Sequence, residues 1–427
     1  MNETSAAARE TLIFANAAQV VTCRGPARAR RGPEMSDAAI RTEVAVAVEG
    51  DRIAAVERLA DLRARFPRAR EIDCRGGVLM PGLVDSHTHG VFGRPRYDEP
   101  EMRAAGLDYM EIARRGGGIH SSVRDLRARS EDELFDLANK RLRRLMAHGT
   151  TTIEVKSGYG LTLEDELKTL RVIGRLRSEL PARIVPTFLG AHEIPLDHRG
   201  SAADRRRYVD ILIREMIPVV SREGLARFAD VFCETGVYTV DESREILLAA
   251  RNAGLLVKLH ADELTSSGGA ELAAELGAVS ADHLAAISDA GIDALSRGPT
   301  VATLLPGTML FLGKTKHAPA RRLMEKGIPI ALATDYNPGT SPTSNLPLVL
   351  TLGVSQLKMS VAEVTLAATI NGAAALSMAD QIGQVEPGYL ADLALFDVPD
   401  LRAVPYWYGD NFCSATFVGG KPCHSST

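Results

Sequence analysis

Between residues 82 and 340, short apolar runs rich in β-branched side chains alternate with longer stretches whose apolar residues recur at helical spacing. The runs are GLVDSH (82–87), TTIEVKS (151–157), IVPTFLGAH (184–192), FADVFCE (228–234), LLVKLHA (255–261), AVSADHL (278–284), TVATLLPG (300–307) and IPIALATD (328–335). Such runs predict strands covered on both faces, as the strands of parallel sheets are. Amphipathic stretches at 131–148, 163–180, 201–224, 241–253 and 267–276 predict crossover helices between several of them. Eight strand–crossover units predict an α/β fold, a (β/α)8 TIM-like barrel. Further helices are predicted around 345–352 and 360–377.

The two ends of the chain carry a different pattern. TLIFANAAQVVT, TEVAVAVEGDRIAAVE and EIDCRGGVLM precede the barrel, and GQVEPGYLADLALFDV and SATFVGGKPC follow it, all strand text broken by turns. Strands flanking a barrel on both sides predict one small discontinuous β-sandwich domain, residues 1–80 plus 382–427, beside a barrel of residues 81–381. The Arg/Pro-rich segment RGPARARRGPEMSD (24–37) predicts an exposed loop; without interleaved aromatics it does not predict a nucleic-acid patch.

Composition narrows the classes of partner. The 427 residues are 45% hydrophobic and 24% charged, with a net charge of −4, so no basic surplus points to nucleic acid. No apolar stretch reaches the roughly 18 residues of a membrane-spanning helix, so no membrane partner is expected. The start, MNETSAAARE, lacks the apolar core of a secretory leader. Five cysteines without a C-x-x-C pair predict reduced thiols and a cytoplasmic location.

Candidate chemistry falls at strand ends, where barrels of this type keep their active sites. The ends carry His87 and His89, Lys156 and Tyr159, His192, Glu234, His260 and Glu263, His283, and Asp335 with Asn337. His87 and His89 stand two apart on an extended segment and share a face. Two histidines on a surface loop would look the same, so the pair needs partners; His260 and Asp335 supply them. Three imidazoles and one carboxylate suit a single Zn2+ or Fe2+ with room for a water, and strand four offers no lysine to bridge a second metal. Such a metal supplies hydroxide near neutral pH. Asp335 can accept the proton, His283 can orient or polarise the attacked bond, and Glu263 can serve the leaving nitrogen. Glu234 is expected either to hydrogen-bond a ligand histidine or simply to pack.

The pattern PGLVDSHTH with those later ligands resembles the amidohydrolase superfamily and, within it, the imidazolonepropionase family. The matching stretches include HTHGVFGRPR (87–96), YMEIARRGGGIHSSV (109–123), EVKSGYGL (154–161), TFLGAHEIP (187–195), HADEL (260–264) and ALATDYNPGT (331–340). The resemblance implies that His87, His89, His260 and Asp335 bind zinc or iron (Fe2+ or Fe3+). It implies that Arg96, Tyr159, His192, Glu263, Asn337, Gly339 and Thr340 bind substrate or product, and that His283 is catalytic. The implied activity is that of a hydrolase in histidine degradation. Metal-bound hydroxide opens the cyclic amide of 4-imidazolone-5-propanoate to N-formimino-L-glutamate. The partner is then a small acidic molecule, which a guanidinium such as Arg96 and a phenol such as Tyr159 can clamp. A homodimer is expected by analogy with related barrels. Two rivals are a nucleobase-type deaminase, which would have no use for the carboxylate clamp, and a metal-free scaffold, which would lack ligands.

Overall fold

A computed structural model describes residues 10–107, 111–112 and 115–425. The first nine residues, read above for a leader, and Tyr109, Met110, Ala113 and Arg114 of the 109–123 stretch lie outside them. Eight strands form one parallel sheet in sequential order: β1 (Leu83–Asp85), β2 (Thr150–Lys156), β3 (Arg183–Ala191), β4 (Phe228–Cys233), β5 (Leu256–Ala261), β6 (Ser280–His283), β7 (Val301–Leu304) and β8 (Ile330–Leu332). The circle closes just past the ends of β1 and β8. Asp335 N–H donates to His87 O at 3.0 Å and His89 N–H to Tyr336 O at 2.9 Å. The Asp85 carboxylate, wholly buried, accepts from Thr334 N–H at 3.0 Å and its hydroxyl at 2.6 Å, so β1 and β8 are also stitched through side chains. The sequence-based strands match all eight; seven run one to three residues too far into the loops that carry the chemistry, and LLVKLHA ends with β5 at Ala261.

Capping chemistry sets where the crossover helices begin. Ser130 with Glu133 starts Glu131–Ala147, and Thr239 with Glu242 starts Val240–Asn252, each as a reciprocal capping box. The expected helix at 201–224 is broken into Ala202–Ile211, a π-turn at Leu212–Met216, and Ile217–Arg222. Pro218 lacks the N–H an uninterrupted helix needs, and the wider turn absorbs that loss. Short helices at Asp289–Ser296, Pro306–Phe311 and Ala320–Glu325 escaped sequence reading because each spans about two turns or fewer.

The chain ends meet in two sheets. One has the order Arg52–Glu57, Ala45–Glu49, Thr11–Ala15, Arg70–Asp73. The other interleaves both ends: Leu393–Phe396 pairs antiparallel with Val78–Pro81 on one side and Cys413–Val418 on the other. Leu12, Phe14 and Val46 of the first sheet share a buried core with Leu79, Leu393 and Phe417 of the second, Phe14 meeting Phe417 edge-on at 4.9 Å. The 24–37 segment corrects its sequence reading. Arg30 and Met35 are buried, Arg30 N–H donates to Asn371 Oδ1 at 2.6 Å, and Gly32–Ser36 forms a 3-10 turn against the barrel. Its buried residues, Ala29, Arg30 and Met35, are too few and too scattered to show as a hydrophobic run. Among the described residues no helix is long and apolar enough to cross a membrane, and all five cysteines are free thiols.

Candidate active site

His87 and His89 leave the end of β1 on extended backbone, His260 ends the inward register of β5, and Asp335 follows β8. Their chelating atoms converge. His87 Nε2 and His89 Nε2 are 3.3 Å apart, and His89 Nε2 lies 3.4 Å from His260 Nε2. Asp335 Oδ1 lies 3.6 Å from His87 Nε2 and 3.5 Å from His89 Nε2. All four residues are nearly or wholly shielded from solvent.

The protonation pattern shows what the cluster suits. Burial lowers the imidazole pKa of His87 and His89, of His87 far below its usual value, so these rings are neutral. His87 Nδ1 donates its proton to Asp282 Oδ2 at 2.6 Å, and His260 Nδ1 lies 3.0 Å from Asp230 Oδ2. With Nδ1 carrying the proton, Nε2 presents a lone pair. Lone pairs packed together in a buried site repel unless a cation lies among them. Burial would raise the Asp335 carboxyl, but the hydrogen bond to His89, the adjoining His283 and His89 imidazoles and the Thr308 hydroxyl hold it at about 2. Neutral nitrogens and one carboxylate therefore fit a borderline divalent metal, with no soft thiolate present.

Asp335 and His283 both adopt left-handed backbone, φ +53° and +79°, a conformation costly for non-glycine residues and concentrated at functional sites. Thr308 Oγ donates to Asp335 Oδ2 at 2.6 Å and fixes the second carboxylate oxygen. His283 stands beside the cluster, its ring centroid 5.2 Å from that of His260. Neither of its buried ring nitrogens has a hydrogen-bond partner among the described residues, and Nδ1 lies 3.6 Å from Glu263 Oε2. Its chain neighbour Asp282 is engaged by His87 instead. Burial and then the negative charge of Asp335 push the Glu263 carboxyl up to about 8.

The opposite rim is built from β2, β3 and the loop after β8. His192 stacks on His89, centroids 4.9 Å apart and rings 15° from parallel, with its Nδ1 donating to Gly158 O at 3.1 Å. Tyr159 is 5.4 Å from the His192 ring; burial raises its phenol pKa, offset in part by the Arg96 guanidinium. Arg96 lies across the backbone of Gly339: a Cβ there would sit 1.1 Å from its Nη2. Asn337 Oδ1 accepts from Gly339 N–H at 2.8 Å and Thr340 N–H at 2.7 Å, which shapes the turn under that guanidinium. His192 and Tyr159 thus adjoin the ligand cluster through His89, and Arg96 adjoins the turn after β8 through Gly339.

Some expectations change. Glu234 does not touch a ligand histidine; it accepts from Leu264 N–H and Thr265 N–H and so secures the loop after β5. The partner of His260 is Asp230, which the sequence reading passed over. Lys156, at the end of β2, is buried and donates to Asp230 Oδ2 at 2.8 Å. Glu99, also missed, is buried 3.4 Å from Arg96 Nε and accepts from Gly118 N–H. The available signal was an acidic residue three positions after a candidate anion-binding arginine.

Comparison with known proteins agrees with this geometry. Residues 78–423 match the model of the amidohydrolase family, and residues 45–69 match an imidazolonepropionase-like composite domain of bacteria. The chain is 47% identical to an imidazolonepropionase of Geobacillus kaustophilus, covering 96% of this chain and 97% of that one. It is 44% identical to one of Porphyromonas gingivalis over 97% and 98%. Among solved structures, guanine deaminase of E. coli shares the fold with a TM-score of 0.72 at 16% identity, over 98% of this chain and 99% of that one. A zinc-bound adenosine deaminase of Xanthomonas campestris does so with a TM-score of 0.70 at 20%, over 96% and 92%. At such identities the likeness speaks to the fold alone. The chain therefore belongs to the amidohydrolase family and, within it, to the imidazolonepropionases.

Proposed function

We propose that this chain hydrolyses 4-imidazolone-5-propanoate to N-formimino-L-glutamate, a step of histidine degradation, at a site holding one zinc or iron ion. The observation that carries the reading is the cluster of imidazole lone pairs and one carboxylate with a guanidinium, Arg96, at its rim. The names of its imidazolonepropionase relatives support the choice of substrate. An ion held by His87, His89, His260 and Asp335 would polarise the ring carbonyl and bring the pKa of water towards neutrality.

The chain's own groups do the rest. Arg96 and the Tyr159 hydroxyl bind the propanoate as charge-assisted donors. His192 and the Asn337–Thr340 turn line the ring and its remaining polar edges. Asp335, ionised across the neutral range, accepts the proton of the attacking water. His283, uncharged through burial, orients the carbonyl. Glu263, protonated at neutral pH, gives its proton to the ring nitrogen as the amide C–N bond breaks. The carbonyl carbon leaves as a new carboxylate.

The reading includes a cytoplasmic setting, which the free thiols support, and a homodimer without nucleic-acid or membrane partners. Incubation of the purified chain with enzymatically generated 4-imidazolone-5-propanoate tests the activity. Its absorbance should disappear as N-formimino-L-glutamate accumulates. Persistence of the substrate, with release of ammonia from a neutral nucleobase ring instead, would overturn the assignment.

A further inference from the structure

Beneath the four converging ligand atoms the barrel interior carries charge where such barrels ordinarily stack branched aliphatic side chains. Glu154 and Lys156 point inward from β2, Asp230 from β4, Lys258 from β5 and Asp282 from β6. The side chains of all five have no solvent exposure. Their contacts form one network. Glu154 Oε2 lies 3.0 Å from Lys156 Nζ and accepts from Lys258 Nζ at 2.9 Å, while Glu154 Oε1 accepts from Thr187 Oγ at 2.5 Å. Lys156 Nζ donates to Asp230 Oδ2 at 2.8 Å, and Lys258 Nζ donates to Ser86 O at 2.9 Å. Asp282 Oδ2 lies 3.7 Å from both ammonium groups and its Oδ1 accepts from Ser280 Oγ at 2.6 Å.

Stability does not account for this layer. Desolvating a buried charge costs several kcal/mol, so a buried ionic network is often no more stable than an apolar core of the same volume. Its placement points elsewhere. Asp282 Oδ2 is 2.6 Å from His87 Nδ1, and Asp230 spans both His260 Nδ1 at 3.0 Å and His260 N–H at 3.1 Å. A carboxylate oxygen set against an imidazole nitrogen accepts, so the proton between them lies on the ring nitrogen. The His87 ring is thereby fixed with its proton on Nδ1 and Nε2 facing the cluster, and the Asp230 carboxylate beside His260 Nδ1 favours the same tautomer there. His260 Nδ1 lies 3.0 Å from Asp230 Oδ2 without hydrogen-bond alignment, whereas His89 Nδ1 has neither a hydrogen-bond partner nor a carboxylate beside it among the described residues.

We propose that Glu154, Lys156, Asp230, Lys258 and Asp282 form an ionic layer that positions the metal ligands. Asp282 and Asp230 lock His87 and His260 as Nδ1–H tautomers, and the two lysines hold those carboxylates in register. The proposal rests on the metal reading above but not on the identity of the substrate.

The test uses full-length chain with 15N-labelled histidine, assigned by single substitution. Before and after Zn2+ addition, wild-type His87 and His260 should show a protonated Nδ1 and an unprotonated Nε2. Either ring found with its proton on Nε2 before Zn2+ addition would overturn the proposal, even if no variant folds. Asp282→Ala and Asp230→Ala should weaken Zn2+ binding 10- to 100-fold in competition with a chelator. Each should also release the tautomer of the histidine it contacts. Asp282→Asn keeps the side-chain shape and should fall between wild type and alanine. Zn2+ affinity within twofold of wild type in folded variants would contradict the positioning role. A wild-type chain that takes up no Zn2+ or iron would instead overturn the metal reading itself.

Discussion

The Arg96 guanidinium occupies the space a side chain at position 339 would need, which is why glycine stands there. Arg96→Ala should therefore raise KM roughly tenfold to a hundredfold with a smaller change in kcat, as expected for one charge-assisted contact of about 1.5–3 kcal/mol. Gly339→Ala should do the same by displacing the guanidinium. Steady-state kinetics decide this, and an unchanged KM in both variants would remove Arg96 from the binding site. Glu263 gives the second expectation at this scale. It faces Asp335, His260, Glu234 and His283, and its carboxyl sits at about 8. The acid form prevails below that pH and is lost above it, so kcat should decline on the alkaline side. In Glu263→Gln the residual rate should lose that alkaline limb; a limb that persists would assign it to another group.

Each barrel strand delivers an inward-facing side chain every second residue, and several deliver a positioning group one step before a reactive one. Lys258 precedes His260, and Ser280 precedes Asp282, which in turn holds His87. The strands were legible in the sequence because parallel strands buried on both faces are nearly continuous apolar runs. The ligands were legible because His87, His89, His260 and Asp335 punctuate the ends of those runs. The ionic layer was not: a lone charge inside an apolar run does not say which strand, tens of residues away, supplies its partner. Asp262 was missed for a related reason, standing inside HADEL between two reactive residues. It accepts from Ser267 N–H at 2.8 Å and from Gly268 and Ala270 N–H, each at 3.0 Å, and so begins the helix Gly269–Leu276. Asp262→Ala should cost about 1–2 kcal/mol, as loss of a helix cap does, and so lower Tm by a few degrees. Activity should fall with it because Glu263 is the next residue. Thermal melts and kinetics unchanged by the substitution would contradict that role.

Closure of the whole molecule runs through the site, since the backbone bonds joining β1 to β8 flank His87, His89 and Asp335. Metal occupancy should therefore be felt globally. A ligand at a hundred times its Kd adds about 2.7 kcal/mol to stability. Chelator-treated chain should melt several degrees lower and lose activity, and Zn2+ or Fe2+ should restore both; identical melting curves would separate the cluster from metal binding. The two end sheets were predicted as one sandwich from the strand text alone, whereas Arg30 and Met35 anchor a segment whose composition hid its burial. The most direct measurement of the chemistry follows the oxygen. In 18O-labelled water, a single turnover of 4-imidazolone-5-propanoate should place one label in the new carboxylate, derived from the ring carbonyl carbon, and none elsewhere. Label on the carbon between the two ring nitrogens, or no label at all, would contradict attack at the amide carbonyl.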